Sequence, residues 1–274
     1  MSAPVAHTAV PECLFVILDV PKGPFFQEIV ESVLALVNLH LVSNSESQFA
    51  ILASSQSAPN VIFSTFHRPN GISLAPVEHS ASISDLIRDA LDRLPTGRET
   101  SCIVSAFMSA LCMANKLSRL TVTPMPSRFL LLSARPVASG VSEFVNSFFM
   151  AQREGWPVDC CYLGSDSTPV PFQQAADLTG GHLLSWDLLD PAYDNAAFPT
   201  AALVELSVPV SVRRVMPVVP GRAAAGAHNA IAVDTGKTVA FGFVCSACMA
   251  VHERFVHKCA GCGTELSVIP RNPG

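Results

Sequence analysis

Charge is scarce in this 274-residue chain: only 14% of its residues are charged, whereas 49% are hydrophobic. A sequence so poor in charge buries enough apolar surface to offset the entropy of folding, which excludes a disordered chain. It also keeps little polar surface for a protein that works alone, so partners are expected. Long apolar runs are missing as well. The two best candidates, Ile29 to Val42 and Cys102 to Ala114, are interrupted or shorter than the roughly 18 to 20 residues that span a bilayer, and no membrane span is expected. No basic stretch precedes the first apolar run, which Glu12 introduces, so no secretory leader is expected and the compartment is read as reducing. The net charge of −5 supplies no general drive toward nucleic-acid phosphates. The phosphate-cradling patterns G-x-G-x-x-G and G-x-x-x-x-G-K-[ST] are absent, and so is the nucleophile pattern G-x-S-x-G.

Nine cysteines are present, and they form two populations. Cys13, Cys102, Cys112, Cys160 and Cys161 are scattered among apolar residues, whereas Cys245, Cys248, Cys259 and Cys262 fall within eighteen positions near the end. The second group reads C-x2-C, ten residues, C-x2-C. Each pair can bend around one ion and give two thiolates to a tetrahedron, which makes these four the expected ligands of one structural zinc ion. Gly261 and Gly263 suit the tight knuckle such a site needs. Four thiolates close the coordination sphere, so the ion holds a fold and activates no water. Two disulfides are the alternative, disfavoured in a reducing compartment. His252 and His257, in the spacer, are read as exposed loop histidines. A RING-type ligase needs two full metal sites, and these ligands are too few for that. From Phe241 to Gly274 three basic residues face two acidic ones; with four thiolates on a divalent ion the module carries about one negative charge, too little for phosphate binding. Its many apolar residues, Phe243 and Phe255 among them, fit docking to protein.

Upstream, buried-strand and amphipathic-helix patterns alternate. Leu14 to Asp19 is a continuous apolar run ending in an acid, as a central strand of a parallel sheet reads. From Phe26 to Val42 apolar residues recur at intervals of three and four, which predicts a helix lying on that sheet. Phe49 to Ser54 and Val61 to Thr65 are joined by too few residues for a crossover and predict an antiparallel hairpin. Helices are predicted over Ser82 to Leu94, Thr100 to Leu120, Val141 to Glu154 and around Phe172 to Leu178. Strands are predicted at Phe129 to Leu132, Val158 to Leu163 and His182 to Trp186. The alternation means an α/β fold with a doubly wound, mostly parallel sheet over residues 10–206, then a connector 207–240 and a four-cysteine module 241–274.

In such sheets ligands bind beyond the carboxyl ends of the strands. After the first strand stands Asp19-Val-Pro21-Lys-Gly23, and here the chain resembles a von Willebrand A-type domain, whose metal-dependent adhesion site reads Asp-x-Ser-x-Ser. Pro21 and Gly23 replace both serines, and Ser133 and Ala134 stand where that family supplies a further acid; Thr100 alone matches a second-loop threonine. A hard cation wants about six oxygen ligands, so this site is read as vacant and Asp19 as an acceptor for backbone N–H groups at the next helix start.

A narrower resemblance follows from Leu14 to Asp19, Phe49-Ala-Ile-Leu-Ala53, Val158-Asp-Cys-Cys161, Leu163-Gly-Ser-Asp-Ser167, Gln173-Gln-Ala-Ala-Asp-Leu-Thr-Gly-Gly181 and Gly242-Phe-Val-Cys-Ser-Ala-Cys248. A von Willebrand A-like domain without its metal serines, followed by a late four-cysteine ribbon, resembles the smaller of the two von Willebrand A-type subunits of the general transcription and repair factor TFIIH. The resemblance implies a nuclear, non-enzymatic subunit acting in RNA polymerase II initiation and nucleotide excision repair. It also implies a hetero-oligomer with the larger von Willebrand A-type subunit and other core subunits, the sheet domain being the main contact surface and the ribbon a supporting one.

Three other readings compete with this one. An enzyme would need a nucleophile, yet Cys160 and Cys161 point to opposite faces of one strand with no base beside them. A zinc-ribbon DNA binder would use Arg213, Arg214 and Arg222, which lie in an acid-free stretch; three phosphate contacts predict a log–log salt slope of about −2.7. Direct nucleic-acid binding is therefore expected to be weak or absent. An adhesion-type ligand binder lacks its hydroxyls at Pro21 and Gly23.

Overall fold

The computed structural model describes residues 10–20, 26–54, 60–66, 85, 89, 102–120, 125–135, 137, 141–164, 168–186, 202, 206–209, 230–239, 242–245, 247–248 and 250–266. Strand β1 (Cys13–Asp19) is buried along its whole length and leads to helix α1 (Phe26–Ser43). Strands β2 (Gln48–Ala53) and β3 (Asn60–Ser64) pair antiparallel with a register shift after Ile51, the hairpin that the short connection predicts. Helix α2 (Ile103–Leu120), strand β4 (Ser127–Ser133), helix α3 (Val141–Arg153), strand β5 (Val158–Tyr162), helix α4 (Val170–Thr179) and strand β6 (Leu183–Ser185) complete the alternation. The sheet order is β3-β2-β1-β4-β5-β6, parallel from β2 through β6. The helix expected over Ser82 to Leu94 lies mostly outside the described residues, although Asp85 and Asp89 are helical.

Alternation along the central strands divides the core into two layers. Phe15, Ile17, Phe129, Leu131 and Cys160 face α2, α3 and α4, where Phe107 meets Phe129 edge-on at 5.5 Å and Phe144 meets Phe148 at 4.4 Å. Leu14, Val16, Leu18, Leu130 and Cys161 face α1 through Ile29, Val30, Val33, Leu36 and Val37. By length and composition α1 is long and apolar enough to cross a membrane, which the shorter run read from the sequence did not anticipate; that apolar stripe is spent on the sheet.

Two turns show why glycine stands where it does. Helix α3 ends at Gly155 with φ of 69°, and the following Trp156 N–H returns to the Ala151 carbonyl at 2.9 Å. Helix α4 ends at Gly180, also at φ 69°, and a Cβ on the next residue, Gly181, would collide with the Val158 carbonyl. That close approach sets α4 against β5, where Thr179 Oγ1 accepts the Val158 N–H at 2.9 Å.

Beyond the sheet, β7 (Ala230–Ile231) and β8 (Thr238–Val239) form a small hairpin, and β9 (Phe243–Val244) pairs antiparallel with β10 (Val251–His252). The two hairpins are joined: Val233 N–H donates to the Val251 carbonyl at 2.8 Å, and Glu253 N–H to Asp234 Oδ1 at 3.1 Å. The first hairpin falls inside the stretch read from the sequence as connector.

Candidate metal centre

The last hairpin turns between Cys245 and Ala250, where the Cys245 N–H donates to the Ala250 carbonyl at 2.9 Å. A second turn is built by the Cys259 N–H on the Thr264 carbonyl at 2.8 Å and by the Gly263 N–H on the Cys259 carbonyl at 2.9 Å. These two knuckles face each other. The Sγ atoms of Cys245, Cys248, Cys259 and Cys262 all lie within 4.8 Å of one another, so the four could hold a metal ion. Cys245 and Cys262 Sγ are 3.8 Å apart, and Cys248 and Cys259 Sγ 3.5 Å apart. A tetrahedron with metal–sulfur bonds of about 2.3 Å has edges of about 3.8 Å, so the donor set fits a thiolate-bound tetrahedral ion in both chemistry and spacing. None of the four is joined in a disulfide.

The two glycines act differently. Gly263 has φ of 74°, the left-handed turn that the sequence leads one to expect. Gly261 sits closely packed: a Cβ there would stand 3.3 Å from Ala250 Cβ, so that neighbour would have to give by a few tenths of an ångström.

Electrostatics separate the sulfurs. Burial pushes the Cys248 thiol well above its ordinary value, opposed by the Ala250 N–H, and burial likewise raises Cys259. At Cys262 burial also pushes upward, but hydrogen bonds from the Thr264 hydroxyl and backbone, together with those from Cys248 and Cys259, bring the thiol down to about 6. Thr264 Oγ1 lies 3.1 Å from Cys262 Sγ. Three of the four sulfur-bearing residues are buried and continuous with the apolar cluster under α2 and α3.

One spacer histidine corrects the sequence reading. His257 is exposed, as expected, and meets the Phe255 ring edge-on at 5.2 Å. His252 is not a loop residue. It ends β10, is 0% exposed, and sets Nε2 3.3 Å from Cys259 Sγ. Ala250, just before this two-residue strand, and His252 are buried and Val251 half-buried, an alternation too short to be read from the sequence.

At the carboxyl end of β1, Asp19 is 2% exposed and is met by Ser133 Oγ at 3.4 Å and Arg135 Nη1 at 3.9 Å. The helix-start amides expected as its donors fall at residues 21–25, and Thr100 at the second loop; both lie outside the described residues. Arg135, which the sequence reading did not single out, brings a positive charge to the acid that would otherwise face a cation. Cys160 and Cys161 point to opposite faces and are both buried, and Cys160 is raised well above its ordinary value by burial, with the Asp159 and Cys161 charges adding to it. Neither has the character of a nucleophile.

A second cluster, missed by the sequence reading, lies at the opposite end of the sheet. Arg128, 2% exposed, reaches Glu12 at 3.3 Å and Asp159 at 3.7 Å. It also donates to the carbonyls of Leu206 at 2.8 Å and Val208 at 3.2 Å, so it ties the chain leaving the sheet to β4. His40 donates from Nε2 to the Gln48 carbonyl at 3.0 Å and turns Nδ1 toward Glu12 at 3.6 Å. Asp159 Oδ1 accepts the His182 N–H at 2.8 Å.

The chain is 27% identical to general transcription factor IIH subunit 3 of Dictyostelium discoideum over 89% of this chain and 68% of that protein. It is 26% identical to general transcription and DNA repair factor IIH subunit TFB4 of Arabidopsis thaliana, over 87% of this chain and 81% of that one. Among solved structures, the TFIIH p34 N-terminal domain superposes with a TM-score of 0.52 at 19% identity, over 71% of this chain and 97% of that domain, and the fold is von Willebrand A-like. The family model described as transcription factor Tfb4 matches residues 18–263, from the end of β1 through all four clustered cysteines, and the chain belongs to that family.

Proposed function

We propose that this chain is a non-catalytic structural subunit of the transcription and DNA repair factor IIH core, acting in the nucleus in RNA polymerase II transcription initiation and nucleotide excision repair. Its work is to bind the larger von Willebrand A-type subunit, the sheet domain (10–206) forming the main contact and the ribbon (241–274) a supporting one, joined by the connector 207–240. The observation that carries this reading is the family match, which spans both the sheet and the cysteine cluster. The chemistry supports it. Asp19 is engaged by Arg135 and Ser133 at the sheet end where this fold binds ligands. Phe243 and Val244, beside the cysteine cluster, are 52% and 53% exposed, apolar surface of the kind that meets another protein.

Within this reading Cys245, Cys248, Cys259 and Cys262 hold one structural zinc ion. Its four thiolates leave no open position, so the ion supplies folding energy to the C-terminal module. Co-expression with the larger subunit of the same organism, followed by purification through a tag on either chain, tests the proposal. Recovery of an equimolar soluble complex is expected. A chain that stays soluble and monomeric, or that binds duplex DNA with a salt slope of about −2.7, contradicts it.

A further inference from the structure

We propose that His252 is a positioning residue for the metal site, donating a hydrogen bond from Nε2–H to the Cys259 thiolate and so fixing that sulfur's orientation and spreading its charge. The inference rests on the zinc reading above. Nε2 stands 3.3 Å from Cys259 Sγ, and the ring is 0% exposed, so water does not compete for either atom. A metal-bound thiolate carries no proton. Of the two atoms, Nε2 is then the one able to supply the hydrogen, which selects one tautomer of the neutral ring. Nδ1 keeps its lone pair, and Nδ1 is the ring atom without a hydrogen-bond partner among the described residues. The other tautomer would orphan a buried N–H at Nδ1 and set a lone pair against the sulfur, which is costlier on both counts.

The backbone holds the ring in place. His252 pairs with Phe243 across the ribbon; on one side of it the Val251 carbonyl accepts from Val233, and on the other the Glu253 N–H is tied to Asp234. Cys259 Sγ also accepts the Gly261 N–H at 3.3 Å, so two donors converge on one sulfur. Metal ligands held by such outer partners lose about 10- to 100-fold in affinity when the partner is removed. The ring itself is not the fourth ligand in this arrangement. The 3.8 Å and 3.5 Å sulfur pairs already describe opposite edges of a tetrahedron, and His252 lies against one of its corners.

The test uses the full chain loaded with cadmium-113 and with cobalt(II). Long-range nitrogen–proton correlation is expected to show His252 protonated at Nε2, with a scalar coupling from that proton to cadmium through the sulfur. In His252→Phe, which keeps the volume and loses the donor, metal transfer to a competing chelator should speed about tenfold, and His252→Gln, which restores a donor, should recover most of that. A proton on Nδ1, or equal release rates in all three chains, overturns the proposal. A cobalt spectrum of three sulfurs and one nitrogen overturns it too, by making His252 a ligand. A chain that takes up neither metal overturns the zinc reading and this bond with it. Should His252→Phe fail to fold, the tautomer and coupling in the unaltered chain still decide.

Discussion

The sheet and the C-terminal ribbon are held by opposite means. In the sheet, β1 and β4 are buried along their full lengths, and aromatic rings interlock under α2 and α3. In the ribbon, strands are two residues long, and the buried side chains are chiefly Cys245, Cys248, Cys259, Ala250 and His252. Burial worth about 25 cal/mol per Å² stabilises the first; the second adds only a few buried residues to the cluster under α2 and α3, and on the zinc proposal its order comes mainly from the ion. On that proposal one chain contains a region that folds by excluding water and a region that folds by gathering donors.

The strongest way to break this contrast is to deny the four cysteines the ion proposed for them. Binding at such sites contributes on the order of 10–16 kcal/mol in small zinc-binding peptides, so Cys259→Ser, or chelation of the unaltered chain, should unfold the ribbon. Calorimetry should then show the sheet's own transition surviving. Simultaneous loss of both transitions would erase the distinction between the two regions.

Inside the sheet the largest single effect is expected at Arg128. Arg128→Ala removes the guanidinium from buried Glu12 and Asp159 and its bonds to the Leu206 and Val208 carbonyls, which should cost about 3–5 kcal/mol in urea unfolding. An effect below about 1 kcal/mol would show that water reaches this cluster. Gly181→Ala comes next. Its Cβ would meet the Val158 carbonyl, and forcing α4 off β5 should cost about 1–3 kcal/mol by the same measurement.

The smallest effect is chemical. Burial, with the Glu12 charge adding to it, pushes the Cys13 thiol up to about 12, whereas Cys112 is exposed. Brief alkylation of the native chain near neutral pH should label Cys112 and leave Cys13, Cys160 and Cys161 untouched, as peptide mass mapping would read. Equal labelling would mean that the sheet opens readily.

Much of this was legible in the sequence because the signals are local. Leu14 to Leu18 and Phe129 to Leu132 are continuous apolar runs, which parallel strands buried on both faces require, and both are central strands. The single Gly155 at the end of α3, the Gly180-Gly181 pair at the end of α4 and the short β2–β3 connection declare themselves in the same way. The cysteine spacing foretold the cluster that the two knuckles assemble.

What escaped depends on contacts distant in sequence or on faces too short to show a period. Arg128 meets carbonyls 78 and 80 positions away, a pairing that no window along the chain records. Arg135 reaches Asp19 from another strand end, across 116 positions. The hairpin of β7 and β8 has two residues per strand, so its alternation has no length in which to appear. His252 stands in a spacer whose composition suggests a loop, and only the pairing of β10 with β9 turns its ring toward the sulfurs.

Native mass spectrometry of the complex purified by co-expression with the larger von Willebrand A-type subunit probes the central claim most directly, since one spectrum reads both the partner and the ion. The account predicts a one-to-one assembly in which this chain carries a single zinc, lost together with the ribbon's order in Cys259→Ser. A free monomer, or a zinc-free chain in reduced material, would contradict it.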